Sequence, residues 1–133
     1  MILGLGCDIA LVSRFAKDSS FIKRFLKKYF TLAETKELQD KIDNPEKGLV
    51  LEIATRFAAK EAVAKALGSG FRFGITLSDI EVTHDALGCP QVKLYNKALA
   101  RAYQVSNNQD FIMHITLSNE KEYVNAVAVL ESK

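Results

Sequence analysis

The chain has 133 residues, 48% hydrophobic and 26% charged, with 18 Lys and Arg against 16 Asp and Glu for a formal net charge of +2. That is the balance of an ordinary globular protein with a real core, read here as one domain over residues 1–133. Two cysteines, Cys7 and Cys89, exclude a disulfide framework and a cysteine metal cluster, and are expected to be reduced thiols of a cytoplasmic protein.

Residues 1–12, Met-Ile-Leu-Gly-Leu-Gly-Cys-Asp-Ile-Ala-Leu-Val, are apolar almost throughout and predict a strand buried on both faces. They are not a signal peptide, because no basic residues precede them and an acid lies at their centre, and they are too short to span a membrane. Asp8 is their only charge. Gly4 and Gly6 allow irregular geometry, in which Asp8 would accept hydrogen bonds from backbone N–H groups. A second reading makes it a metal ligand.

From Ser13 to Phe30 the chain is basic and helical, with Arg14, Lys17, Lys23, Arg24, Lys27 and Lys28 against Asp18. Phe15, Phe21, Ile22, Phe25, Leu26 and Tyr29 recur at helical spacing and are expected to face inward. Asp18-Ser19-Ser20 predicts a break between two short helices, with Ser19 or Ser20 as the cap. The basic side is either a solvated face or a docking surface for an acidic partner. No nucleic-acid motif accompanies it, and the aromatics read as core, so nucleic acid is not the expected partner. Thr31-Leu-Ala-Glu34 is a capping box that opens a helix to about Lys41.

A long helix is predicted from Asn44-Pro45 to Gly68, with Asn44 as cap, Pro45 in the first turn and Gly68 as the left-handed stop. At 100° per residue Val50, Ile53, Ala54, Phe57 and Ala64 share one face, and Glu61 falls among them. Glu61 either reaches water at the edge of that stripe or needs a cation, since a buried, unpaired carboxylate is costly. Lys65, four residues on, can supply one. Together, Asp8 and Glu61 are two acids in apolar settings on different elements, which points to a shared divalent cation. An oxygen-only site with few protein ligands favours Mg²⁺.

After Gly68 the loop Ser69–Gly74 can bring backbone N–H groups near an anion. Residues 79–84 and 91–95 alternate as strands joined by the hairpin turn at 85–90. A helix follows at 96–105, and strands at 111–118 and 123–130 close the chain. His114 reads as a packing residue of its strand. Helices come early and antiparallel strands late, so the class is α+β, a long central helix packed on a small, mainly antiparallel sheet.

Gly4-Leu-Gly-Cys-Asp8-Ile, the run Arg56-Phe-Ala-Ala-Lys-Glu-Ala-Val-Ala-Lys-Ala-Leu-Gly-Ser-Gly70, Asp79-Ile-Glu-Val82 and Gly88-Cys-Pro90 resemble, in order and over essentially the whole chain, the holo-acyl-carrier-protein synthases of the 4′-phosphopantetheinyl transferase superfamily. The resemblance implies that family's fold and a Mg²⁺-dependent transfer of 4′-phosphopantetheine from coenzyme A to a serine of apo acyl carrier protein. Adenosine 3′,5′-bisphosphate is released, and the reaction supports fatty acid biosynthesis. It further implies that Asp8 and Glu61 hold Mg²⁺ and that Lys65 contacts the phosphates. Gly68, Ser69, Gly70, Pro90 and Asn119 are expected near the coenzyme, and Arg14, Arg24 and Lys28 against the acidic carrier, in a homotrimer with active sites between subunits. Two positions depart from the family pattern. Asn119 ends Thr116-Leu-Ser-Asn where the family often has His, and Cys89 stands where a basic residue often precedes the proline. The contrasting reading is a non-catalytic basic module that docks acidic proteins or RNA, which would use the Arg14–Lys28 face without needing Asp8 and Glu61.

Overall fold

In the computed structural model, which describes residues 1–133, the chain opens with strand β1 (Ile2–Leu11) and a 3₁₀ turn (Val12–Phe15). Helices α1 (Ser19–Tyr29), α2 (Leu32–Glu37), α3 (Gln39–Asp43) and α4 (Leu49–Ala66) follow. The hairpin β2 (Ile80–His84) and β3 (Pro90–Leu94) leads to α5 (Asn96–Val105), β4 (Phe111–Asn119) and β5 (Tyr123–Ser132). β1, β5 and β4 form an antiparallel sheet in that order, and β2–β3 forms a second, two-stranded one. The α+β expectation of a long helix on an antiparallel sheet holds.

Local chemistry moves several boundaries. Asp18 caps α1 by accepting from the Phe21 N–H, displacing Ser19 and Ser20 from the role expected of them. The Thr31–Glu34 capping box forms, but its helix ends at Glu37 and a separate short helix follows. Asn44 does not cap the long helix: its amide bonds Asp40, Pro45–Lys47 make a 3₁₀ turn, and Gly48 at φ 106° breaks the chain before α4. The hairpin turn forms around Asp85, whose Oδ1 accepts from the N–H groups of Leu87 and Cys89.

α4 is buried on nearly every side. Ala54, Ala58, Ala59, Ala62, Ala64 and Ala66 leave a thin helix that other elements approach closely. The tightest approach is to β1. A Cβ on Gly4 would lie 1.8 Å from the Ala66 carbonyl oxygen, and one on Gly6 1.8 Å from that of Ala62. The strand backbone therefore rests directly on the helix, with Val124, Ala126, Ala128 and Leu130 of β5 completing the buried face of the sheet.

The opposite face corrects the sequence reading. β1 is an edge strand, and only its inward side is covered. Leu5 and Ile9 are 68% and 66% exposed on the outward side, where Cys7 also lies.

Two buried cations tie the helical half to α4. The Lys60 side chain is fully buried, and its ammonium donates to Glu34 Oε1 at 2.7 Å and to the carbonyls of Tyr29 and Leu77 at 3.0 Å each. All three of its N–H groups are thereby satisfied. Burial lowers the Lys60 pKa, and the Glu34 charge and hydrogen bond oppose that shift. Glu34, equally buried, also accepts from the Thr31 and Val82 N–H groups, so one ion pair joins α1, α2, α4 and β2. Arg56 donates to Glu37, to Glu52 and to the Val82 carbonyl. Burial works against the carboxylates of Glu37 and Glu52. Hydrogen bonds from His84 and Lys41, respectively, with the Arg56 charge, outweigh it and hold both below 4.5.

Lys60→Met leaves the Glu34 carboxylate buried without its cation and is expected to cost about 3–5 kcal/mol in urea unfolding. The double variant Lys60→Met/Glu34→Gln removes both charges while keeping an acceptor for the backbone, and should recover about 2 kcal/mol of that loss. A double variant no more stable than the single one contradicts a charge-based account of the pair.

Candidate active site

Past Gly4 and Gly6, Asp8 is the first side chain on the inward face of β1 large enough to reach along α4. It emerges beside Glu61 and Lys65. The Lys65 ammonium donates to Asp8 Oδ1 at 3.2 Å and to the Cys7 carbonyl at 2.9 Å. The expected Glu61–Lys65 pair is thus replaced by a Lys65–Asp8 pair between helix and strand. Lys65 still acts on Glu61 through its charge.

Glu61 accepts no hydrogen bond from the chain, and neither does Asp8 Oδ2. Burial and then the neighbouring Asp8 charge raise the Glu61 pKa above 4.5, with Lys65 and Arg14 opposing. Two carboxylates that repel each other and keep oxygens free suit a hard cation. No third His, Cys, Asp or Glu joins them. That donor set fits Mg²⁺, which is commonly held by one or two carboxylates, waters and substrate phosphate.

Arg14 belongs to this neighbourhood more than the sequence suggested. It lies on the 3₁₀ turn directly after β1, its Cζ 5.0 Å from the Phe57 ring centroid and 5.5 Å from that of Phe15. Its side chain makes no ion pair or hydrogen bond within the chain. Arg24 and Lys28, one turn apart on α1, line a separate groove of about 450 Å³ with Phe21, Phe25 and Tyr29. Arg24 donates to Ser20 Oγ, and the Lys28 ammonium lies 5.2 Å from the Tyr29 ring centroid.

The Gly68–Gly70 loop spends two of its N–H groups on closing its own turn. Gly68 N–H donates to the Lys65 carbonyl and Gly70 N–H to that of Ala64, which closes the end of α4. The buried Ser69 hydroxyl donates to the Gly70 carbonyl. Gly68 and Gly70 both have positive φ, 72° and 58°, so their place here is in the turn that follows Lys65.

Pro90 and Asn119 are not brought to the acid pair within this chain. Asn119 ends β4, opposite Val124, while Asp8 lies on β1 opposite Ala126, with β5 between the two strands. At about 4.8 Å per strand they are separated by roughly 10 Å across the sheet alone. Pro90 starts β3, beyond β4 on the far side, where Glu81, Lys93 and His114 line a cleft of about 590 Å³. His114 bonds Glu131 at 2.7 Å on the outward face.

Sequence reasoning passed over Lys60 and Arg56. Lys60 lies seven residues after Ile53 and three before Val63, so it falls on an apolar side of the helix. That signal, the same one that drew attention to Glu61, was available.

Glu61→Gln tests the electrostatics without any ligand. A carboxyl whose folded pKa is raised contributes stability below about pH 4.5 and loses it as pH rises through the folded value. Without added metal, Glu61→Gln should therefore be more stable than the parent at pH 7 by thermal melting, with the difference vanishing below pH 4. A lower Tm for Glu61→Gln at pH 7 contradicts the repulsion between the two acids.

The chain is similar to known proteins over nearly its whole length. The 4′-phosphopantetheinyl transferase superfamily profile matches residues 4–128. A holo-[acyl-carrier-protein] synthase of Caldicellulosiruptor bescii is 40% identical over 131 residues, covering 98% of this chain and 99% of that protein. The Plasmodium yoelii acyl carrier protein synthase with ADP bound superposes with a TM-score of 0.85 at 32% identity, covering 100% and 97% of the two chains. A Bacillus anthracis holo-(acyl-carrier-protein) synthase in complex with coenzyme A (3′,5′-ADP) gives 0.71 at 31% identity, covering 100% and 99%. From its first inward-facing glycine to the last buried strand, the chain belongs to the 4′-phosphopantetheinyl transferase superfamily.

Proposed function

We propose that this chain, as one transferase domain, catalyses the holo-[acyl-carrier-protein] synthase reaction, moving 4′-phosphopantetheine from coenzyme A to a serine of apo acyl carrier protein and so supporting fatty acid biosynthesis. The serine oxygen forms a bond to the phosphorus that carries the pantetheine. The bond from that phosphorus to the bridging oxygen of the pyrophosphate breaks, adenosine 3′,5′-bisphosphate leaves, and the serine proton is released. The observation that carries this reading is the meeting of Asp8, Glu61 and Lys65 where β1 lies on α4. A non-catalytic basic module has no use for that convergence.

Asp8 and Glu61 are the residues to hold Mg²⁺, which when bound offsets the negative charge of the pyrophosphate. Lys65 brings a positive point charge to the same place, where phosphoryl transfer depends on positioning and electrostatics. Gly68, Ser69 and Gly70 shape the turn beside the coenzyme. Arg24 and Lys28, with the apolar groove between them, suit the acidic carrier, and Arg14 borders both regions. No helix is long and apolar enough to cross a membrane.

We further propose that the working form is a homotrimer with shared active sites. Two features support it: the outward face of β1 exposes Leu5 and Ile9, and Pro90 and Asn119 lie across the sheet from the acid pair. A neighbouring copy can supply both residues to a coenzyme held at Asp8 and Glu61. Asn119 would then serve as a hydrogen-bond donor to phosphate, which its amide permits.

The test is mass spectrometry of apo acyl carrier protein incubated with this protein, coenzyme A and Mg²⁺, in which the carrier should gain one phosphopantetheine. Asp8→Asn and Glu61→Gln should fold yet turn over about 10²–10³-fold more slowly. Their Mg²⁺-dependent coenzyme A binding should weaken in parallel. Unmodified carrier, or amide variants with parental turnover, would refute the assignment. Light scattering checks the assembly: the parent should have three times the chain's mass, and Ile9→Asp should reduce both that mass and the activity. A fully active monomer excludes shared sites.

A further inference from the structure

Arg14 is the one cation beside the acid pair that has no partner. Lys65 is already held by Asp8 and the Cys7 carbonyl. The position of Arg14 is nevertheless well determined. The buried Phe15 anchors the turn, packing on Phe57 with centroids 5.0 Å apart and on Phe25 at 5.9 Å. The guanidinium lies over the Phe57 ring, and Phe57 and Glu61 are one turn apart on the same face of α4. The same Phe25 that touches Phe15 lines the groove with Arg24 and Lys28. Arg14 therefore stands at the junction of the basic face and the acid pair, exposed to an incoming protein and electrostatically linked to Glu61.

We propose that Arg14 couples carrier docking to cation binding. In the free protein its charge offsets part of the negative field of Asp8 and Glu61 and so weakens their hold on a divalent cation. An acidic side chain of the docked carrier pairs with Arg14 and removes that opposition, so carrier and cation bind with positive cooperativity. Linkage makes the effect reciprocal: the cation strengthens carrier binding by the same factor. The partly exposed setting limits the size of the coupling, which should be about three- to tenfold and should shrink as salt screens it. Arg14 acts here as a positioning residue for charge, through Glu61 and Asp8. The inference rests on reading those acids as the cation site and acyl carrier protein as the partner.

The experiment is calorimetric titration of Mg²⁺ into the protein at pH 8, alone and saturated with an apo carrier whose acceptor serine is replaced by alanine so that no transfer occurs. The parent should bind Mg²⁺ three- to tenfold more tightly with the carrier present. Arg14→Gln should bind Mg²⁺ more tightly than the parent when alone, whether or not it still binds carrier, and should gain less than twofold from the carrier. Arg14→Lys should retain the parental gain. Undiminished coupling in Arg14→Gln, or unchanged Mg²⁺ affinity of that variant alone, overturns the proposal. Mg²⁺ binding that Asp8→Asn abolishes but carrier leaves unchanged overturns the coupling and leaves the cation site standing. Absence of Mg²⁺ binding in the parent, at every concentration of carrier, overturns the cation site and the coupling with it.

Discussion

The contact on which this structure depends is the bare backbone of β1 lying on α4. With no side chain at Gly4 or Gly6, the strand approaches until an added Cβ would fall 1.8 Å from a helix carbonyl. Any other residue would lift the strand away. The close approach gives the sheet its place on the helix, and it sets the depth at which Asp8 meets Glu61 and Lys65. A displacement of about 1 Å is enough to degrade a site that depends on such placement, as the proposed cation site does. The two glycines are thus structural residues whose consequence is chemical.

α4 carries two kinds of charge on different sides. Arg56 and Lys60 face into the protein and are fully occupied, with Glu37, Glu52, Glu34 and backbone carbonyls as partners. Buried pairs of this type contribute little net stability against an apolar alternative, yet losing one member is costly. They fix how α1, α2 and β2 seat on the helix. Glu61 and Lys65 lie at the edge that β1 leaves open, where Glu61 has no hydrogen-bond donor and Lys65 bridges to the strand. One continuous motif therefore builds the scaffold with one pair of residues and forms the edge of the proposed site with the next.

The outward side of the sheet has the opposite character. Leu5 and Ile9 are exposed there, while Asn119 and Pro90, expected around the coenzyme, lie away from the acid pair, on the far edge strand and on the second sheet beyond it. A single copy of this fold gathers the acids but not the rest of the expected site. The physical logic of the proposed assembly is that one association covers the apolar face and completes the site.

Much of this was legible in sequence. Helical periodicity located α4, the Thr31–Glu34 box located α2, and alternation located all four later strands, because these signals act over a few neighbouring residues. Asp8 and Glu61 stood out as acids in apolar surroundings, and the wording of the Arg56–Gly70 motif carried the family. Tertiary structure decided what depends on groups far apart in the chain. β1 reads as doubly buried because its residues are apolar on both sides, yet its place at the sheet edge leaves one side bare. Lys65 reads as the partner of Glu61 by helical spacing, yet the strand's approach offers it Asp8 and a carbonyl instead. Arg14 reads as one of a row of basic residues until the Phe15–Phe57 contact sets it beside Glu61. Sequence by itself determined the main helices and strands and which residues are chemically out of place, since both follow from local pattern. Only the packing of β1 and the 3₁₀ turn on α4 decided which charges face one another, because electrostatic partners are chosen by distance in space.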